Sequence, residues 1–266
     1  IDIIILYNFL IFSVYMIIFF ENLILLYLCI EIQTFSLFIL ISSKKIDIKS
    51  LESSLKYFIL GSISSGVFLM GCVFLFKICP LLELNLFNIL FKTANYFYLV
   101  GHILIVSSLL FKIGLFPFHY WIADIYEGSD LILVGLLSSV CKLSLFYIIL
   151  KLNDFYEILF ISSVFSITIG TIAAINQTKI KRLIAYSGIT NFGFILLAVS
   201  SNNLLGIEIS FFYLFIYVLT NFFLILILMI YNYDYVFIIE LSNIYYKSKI
   251  LSIILMIFIF SIAGLP

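Results

Sequence analysis

Glu31, His102, Lys112 and Lys142 each fall well inside a long apolar run of the sequence. A charge at the centre of a bilayer costs about 2.5–3.5 kcal/mol on insertion scales and more on isolated-helix estimates. Facing lipid, such residues are a pure loss, so they must face the protein interior, paired or hydrated. The chemistry open to this set is proton transfer. Desolvation lowers the proton affinity of a buried lysine and a nearby carboxylate restores it, so moving or neutralising the carboxylate loads or unloads a proton. The structural alternative is a Glu–Lys pair that locks helix packing and moves nothing. One glutamate and two lysines on three separate helices favour relay over lock. His102, ten residues before Lys112 and near the start of its helix, reads as a satisfied interfacial histidine. Lys77 and Lys92 read as snorkelling or solvated residues at the membrane edge.

The elements that must position these side chains are transmembrane helices. Of 266 residues, 65% are hydrophobic and only 11% charged, against about 25% charged in a typical soluble domain. Apolar runs of the roughly 20 residues needed to span a bilayer recur from end to end. They predict about nine spans, near 3–20, 22–41, 55–78, 96–118, 131–150, 156–176, 184–200, 208–231 and 250–266. The expected fold is therefore all-α: a polytopic transmembrane helix bundle forming one transmembrane domain over residues 1–266. The longest breaks, 42–54, 79–95 and 232–249, are too short for a soluble domain. Any chemistry lies within the membrane or on another polypeptide. The formal net charge of zero gives no reason to expect nucleic acid as a partner; membrane lipids are the expected surroundings. The cysteines Cys29, Cys72, Cys79 and Cys141 form no CxxC and read as small buried hydrophobes. No charged n-region with a small-residue cleavage site opens the chain, so no signal peptide is expected. Abundant Ile, Phe, Tyr and Asn with scarce Ala and Gly match a strongly AT-rich coding genome, as in an organelle or an AT-rich bacterium.

Lys and Arg in the short loops set the orientation. One side collects Lys44, Lys45, Lys49 and Lys56, then Lys179, Lys181 and Arg182, then Lys247 and Lys249; the other has only Lys77, Lys92 and Lys151. The richer side, which also holds the acidic break Asp124, Glu127, Asp130, is expected to face the matrix or cytoplasm. Pro117 has no N–H for the carbonyl of Ile113, so the helix carrying Lys112 should bend or unwind there. Freed backbone in a membrane is tolerated only against protein or water, which predicts a local water pocket beside Lys112. Ser107, Ser108 and Gly114 supply small or hydroxylated neighbours, and Ser138 and Ser139 do the same before Lys142. Phe111-Lys-Ile-Gly-Leu-Phe-Pro117 is echoed by Phe260-Ser-Ile-Ala-Gly-Leu-Pro266, with Phe and Pro at the same spacing. An odd number of intervening spans makes the two run in opposite directions, the pattern of an inverted repeat with Pro-broken helices.

The stretch from Phe111 through Phe116-Pro-Phe-His119 to Asp124-Ile-Tyr-Glu-Gly128 resembles the signature of the antiporter-like subunits of respiratory complex I. The Asp124–Gly128 block resembles the branch called subunit 2 in mitochondrial NADH dehydrogenase and N in bacteria. Glu52–Gly61, Asn176–Ser187 and Phe260–Pro266 resemble further blocks of that family, in the same order. The resemblance covers nearly the whole chain. It implies inverted antiporter-like repeats, a first over about 3–150 and an incomplete second over about 156–266. It implies a proton path through Glu31, Lys112, Lys142 and His119, with Lys56 in a less defined role at the membrane edge. It further implies a non-redox subunit of NADH:ubiquinone oxidoreductase that couples quinone reduction elsewhere to proton translocation. NADH, FMN, iron–sulfur clusters and ubiquinone are then expected in other subunits, with no cofactor and no metal in this one. The implied partners are the other antiporter-like and small core subunits of the membrane arm, and the implied location is the mitochondrial inner membrane or, alternatively, a bacterial plasma membrane. Family members continue beyond both ends of the matched stretch. A second chain supplying the C-terminal helices, packed against Pro266, is therefore also expected. Two other readings share these residues: a free-standing multi-subunit cation/proton antiporter, and a structural membrane subunit with relic pump residues.

Overall fold

The computed structural model describes residues 2–43, 47–78, 83–84, 96–152, 156–230, 237–241, 245–246 and 248–264. Lys44, Lys45, Cys79, Lys92, Lys247 and Pro266 lie outside them. Among the described residues every regular element is helical. In chain order these are α1 (Asp2–Phe19), α2 (Leu23–Ile41), α3 (Ile48–Phe76), α4 (Tyr96–Ile113), α5 (Tyr120–Gly128), α6 (Leu131–Ser138) and α7 (Val140–Lys151). Then come α8 (Tyr156–Ile175), α9 (Ile180–Ser200), α10 (Leu204–Ile230), a 3₁₀ turn at Ile238–Leu241 and α11 (Lys249–Ile262). Among the described residues, seven segments are long and apolar enough to cross a membrane: α2, α3, α4, the Leu131–Lys151 stretch, α8, α9 and α10. Ile3–Phe19 and α11 are apolar but shorter. All nine expected spans thus have a helix.

Two spans are built differently from the expectation. The 96–118 run is not one helix: α4 stops at Ile113, and a separate helix restarts at Tyr120. Gly114 ends α4 with φ +78°, its N–H reaching the carbonyls of Leu110 and Phe111 at 2.9 Å. This is the left-handed cap that glycine adopts without a Cβ penalty. The Phe116–Pro117 bond that follows is cis. The 131–150 run is also divided, at Ser139. The Ser139 N–H and hydroxyl both take the Gly135 carbonyl, at 3.1 and 2.6 Å, and the Ser138 hydroxyl reaches it at 3.1 Å. Hydroxyls competing for helix carbonyls loosen the ladder at that turn. The α11 segment of the echo ends much as α4 does, with Ile262 as its last helical residue and Gly264 at φ +85°.

The chain divides into two compact units, Ile1–Gly114 with Cys141–Tyr156, and Leu115–Val140 with Glu157–Pro266. In the first, α2 packs on α1 and α3, and α3 runs along α4. The last contact is close because it is made by glycines. A Cβ on Gly71 would lie 2.7 Å from the Gly101 carbonyl oxygen, so small residues set the interhelical distance. Leu26, Ile30, Phe68, Leu75, Ile105 and Leu109 form the buried core there. In the second unit α9 packs on α5, α6 and α10, and α10 on α6 and α11. Outward faces are apolar, as in Phe12, Met70, Phe165 and Phe212. Serine hydroxyls inside the helices turn back onto carbonyls three residues earlier, such as Ser108 to Ile105 at 2.6 Å and Ser163 to Phe160 at 2.7 Å. Polar groups without water are thereby satisfied within their own helix. Cys29, Cys72 and Cys141 are buried free thiols, as expected for small hydrophobes.

Candidate functional site

Glu31 lies near the middle of α2 and Lys112 in the last turn of α4. The Lys112 Nζ stands 3.8 Å from Glu31 Oε1, with the two side chains 7% and 17% exposed. This is an ion pair but not a hydrogen bond, which needs about 2.7–3.2 Å. The α4 break also places Lys112 at a helix C-terminus, where a positive charge is favoured. On the carboxylate side, Thr34 Oγ1 lies 3.4 Å from Oε2 but gives its proton to the Glu31 backbone carbonyl at 2.9 Å. The carboxylate is therefore largely buried, with no hydrogen-bond donor on Oε1.

Space for water exists at this carboxylate. A cleft of about 90 Å³ is lined by Glu31, Thr34, Phe35, Tyr57, Phe58 and Ser62, among others, whereas one water needs roughly 10–15 Å³ of such space. The sequence pointed to water beside the broken turn at Lys112; the cleft found lies at the other end of the pair. Ser107 and Ser108 donate instead to the Leu104 and Ile105 carbonyls.

Lys142 sits on α7, three residues past the Ser139 break, and is 3% exposed. Its neighbour Cys141 and the Gln33 side chain of α2 are both buried. Tyr57, on α3, lies within electrostatic reach of both Glu31 and Cys141. Gln33 and Tyr57 are buried polar groups that the sequence reading passed over. The expense of polar atoms in hydrocarbon, applied there only to charges, would have picked out the Gln33 amide two residues past Glu31.

The other expected residues lie elsewhere. His119 precedes the first turn of α5, buried between Phe116 and Tyr120 at ring distances of 6.4 and 4.2 Å. Burial lowers its imidazole pKa below the ordinary value. Lys56 pairs with Glu52 one turn earlier at 2.8 Å, with the side chains 41% and 60% exposed. His102, near the start of α4, is fully buried, with its ring tilted against Tyr98 at 5.8 Å.

A second ionic group lies in the second unit. Lys179 Nζ is 2.5 Å from Glu127 Oε1, Arg182 Nη2 is 2.5 Å from Asp124 Oδ1, and Arg182 Nε is 2.8 Å from Glu127 Oε2. The loop charges put both groups on one side of the membrane, but the positive-charge rule gives little weight to carboxylates, and the pairing was missed.

A family model described as NADH:quinone oxidoreductase/Mrp antiporter, TM, matches residues 21–266. The chain is 34% identical over 254 residues to NADH-ubiquinone oxidoreductase chain 2 of Metridium senile, covering 92% of this chain and 66% of that protein. It is 33% identical over 258 residues to NADH-quinone oxidoreductase subunit N of Pelagibacter ubique, covering 92% and 55%. The chain thus spans between about half and two-thirds of the curated relatives it matches. Among solved structures, a chain of respiratory complex I from Thermus thermophilus superposes with a TM-score of 0.87 at 26% identity, covering all of this chain and 60% of that one. A chain of the Mrp complex from Dietzia sp. DQ12-45-1b shares the fold at a TM-score of 0.76 and 16% identity, over 84% of this chain and 44% of that one.

Proposed function

Because this chain belongs to the NADH:quinone oxidoreductase/Mrp antiporter transmembrane family, we propose that it works as a proton-translocating membrane-arm subunit of NADH:ubiquinone oxidoreductase. The observation that carries this reading is the Glu31–Lys112 pair: buried, 3.8 Å apart, and open at its carboxylate end to a cleft with room for water. A pair built only to hold helices together gains most from short, saturated hydrogen bonds. This one is held near but not locked, so a small shift of Glu31 or one inserted water changes the electrostatic support for the proton on Lys112. Lys142, buried on a helix broken just before it, is the next proton carrier in this scheme. Gln33 and Tyr57 are the polar groups near the route between them. His119, buried at the start of α5, and Lys56, partly exposed on α3, are further members. Redox groups and ubiquinone belong to other subunits. Partners are the neighbouring membrane-arm subunits, and the membrane is the mitochondrial inner membrane, with a bacterial plasma membrane as the alternative.

The fold shared with an Mrp complex supports a second reading, a cation/proton antiporter subunit. One variant separates the two. Glu31→Gln, assembled in the whole complex, is expected to lower proton translocation per NADH oxidised severalfold while quinone reduction by the uncoupled complex persists. Loss of sodium extrusion with proton-coupled NADH oxidation intact would establish the antiporter instead. No change in either would leave a structural subunit.

A further inference from the structure

The half-helix α5 is nine residues long, too short to hold its own conformation in isolation. Its placement must come from its contacts, chiefly with α9. Its two ends are held very differently. At the start, His119 makes no side-chain capping bond and follows the irregular Leu115–Phe118 connection. At the far end, three cations from the beginning of α9 converge. Asp124 and Glu127 lie three residues apart and so share one face of α5. Arg182 spans both carboxylates, at 2.5 and 2.8 Å. Lys179 takes the remaining Glu127 oxygen at 2.5 Å, and Lys181 Nζ donates to the Ser129 carbonyl at 2.8 Å, just past the last turn of α5. The cations thereby also face the negative end of the α5 dipole. Their own segment is tethered in turn, since the Ile238 N–H donates to the Thr178 carbonyl at 2.9 Å.

We infer that Arg182 is a positioning residue for proton transfer: its planar fork clamps the far end of α5 and so fixes where the helix presents His119. A lysine could pair with either carboxylate but has no second arm to reach the other. This inference rests on the proton-transfer reading above, for which it supplies the element that aims α5.

The test uses the assembled complex in its membrane, with proton translocation per NADH and the rate of quinone reduction measured together. Ser129→Cys serves as a reporter, because Ser129 is buried at the clamped end. In an Arg182→Gln background the expected result is severalfold lower translocation per NADH, unchanged quinone reduction, and faster labelling of the Ser129→Cys thiol by a polar maleimide. Arg182→Lys should recover only part of each. Unchanged translocation in assembled Arg182→Gln overturns the inference. If Arg182→Gln fails to assemble, the Asp124→Asn/Glu127→Gln/Arg182→Gln variant removes the unpaired charges. Full translocation in that neutral variant also overturns the inference, while a fall in translocation per NADH with normal assembly upholds it. Glu31→Gln run alongside keeps the two ideas apart. If it abolishes translocation while Arg182→Gln does not, the clamp fails and the proton-transfer reading stands; if Glu31→Gln is silent, that reading itself fails.

Discussion

The deep pair and the edge cluster reverse what distance and dielectric alone would predict. Coulomb attraction is far stronger away from water, yet Glu31 and Lys112, 17% and 7% exposed, stand 3.8 Å apart. At the membrane edge Glu127 is as buried as Glu31 while Asp124, Lys179 and Arg182 are more exposed, and the contacts there close to 2.5–2.8 Å. The difference lies in how the groups are satisfied. At the edge, one guanidinium and a lysine contact two carboxylates on one helix face. In the interior, a single lysine at a helix end meets a single carboxylate beside an open cleft. The first arrangement resists change of partner and the second permits it. A charged pair in a membrane therefore declares its use by its slack as well as by its burial.

The largest expected effect breaks the interior pair from one side. Lys112→Ala leaves a carboxylate buried without its cation, a loss of about 3–5 kcal/mol for such pairs. Poor accumulation of the assembled subunit is expected in membranes. Replacing both partners, Glu31→Gln with Lys112→Met, removes the orphaned charge and should restore assembly to near normal. Thermal stability of the solubilised complex measures the first quantity and proton translocation per NADH the second. If the double variant assembles but does not translocate, the pair is a relay. If it assembles and translocates normally, the pair was only packing, and its looseness means nothing.

Much of this contrast was legible before any coordinates. The apolar runs located the helices, and Glu31 and Lys112 stood out because a charge is expensive at their depth. The rest was not, for identifiable reasons. The Pro117 break was foreseen from a missing N–H, but α4 ends as early as Ile113 because Gly114 takes the left-handed cap, and glycine spacing does not announce which turn it will close. The Ser139 break arises from hydroxyls competing for the Gly135 carbonyl, and Ser138 and Ser139 look identical to serines that stay within a helix, such as Ser162 and Ser163. Counting from the helix start placed His102 along its helix but said nothing of which face points inward, so its complete burial was not legible. The Arg182 bridge joins residues 58 apart in sequence, and no local pattern links them.

A middling effect sharpens the edge side of the comparison. Lys179→Ala removes one of the cations on Glu127 but leaves Arg182, so roughly 0.5–1 kcal/mol of stability should be lost, in keeping with partly exposed pairs. Salt should mimic that loss. At about 1 M ionic strength the screening length falls to roughly 3 Å, which weakens the edge cluster and spares the buried pair. Melting curves of the complex at low and high salt check this: the Lys179→Ala deficit should shrink as salt rises, while the Lys112→Ala deficit should not. Equal salt sensitivity would mean that water reaches Glu31 freely and that the interior pair is no better shielded than the edge.

The smallest effect concerns the exposed end of α3. Lys56 and Glu52 form a pair one helical turn apart with 41% and 60% exposed side chains, worth about 0.3–0.5 kcal/mol at most, so neither Lys56→Gln nor Glu52→Gln should alter the melting of the complex measurably. Both substitutions abolish the same pair, but only the first removes the lysine. A fall in proton translocation with Lys56→Gln and none with Glu52→Gln would put Lys56 on the proton route by its own titration. Equal, null results would reduce it to a solvated surface charge, and the route would then have to reach Glu31 without it.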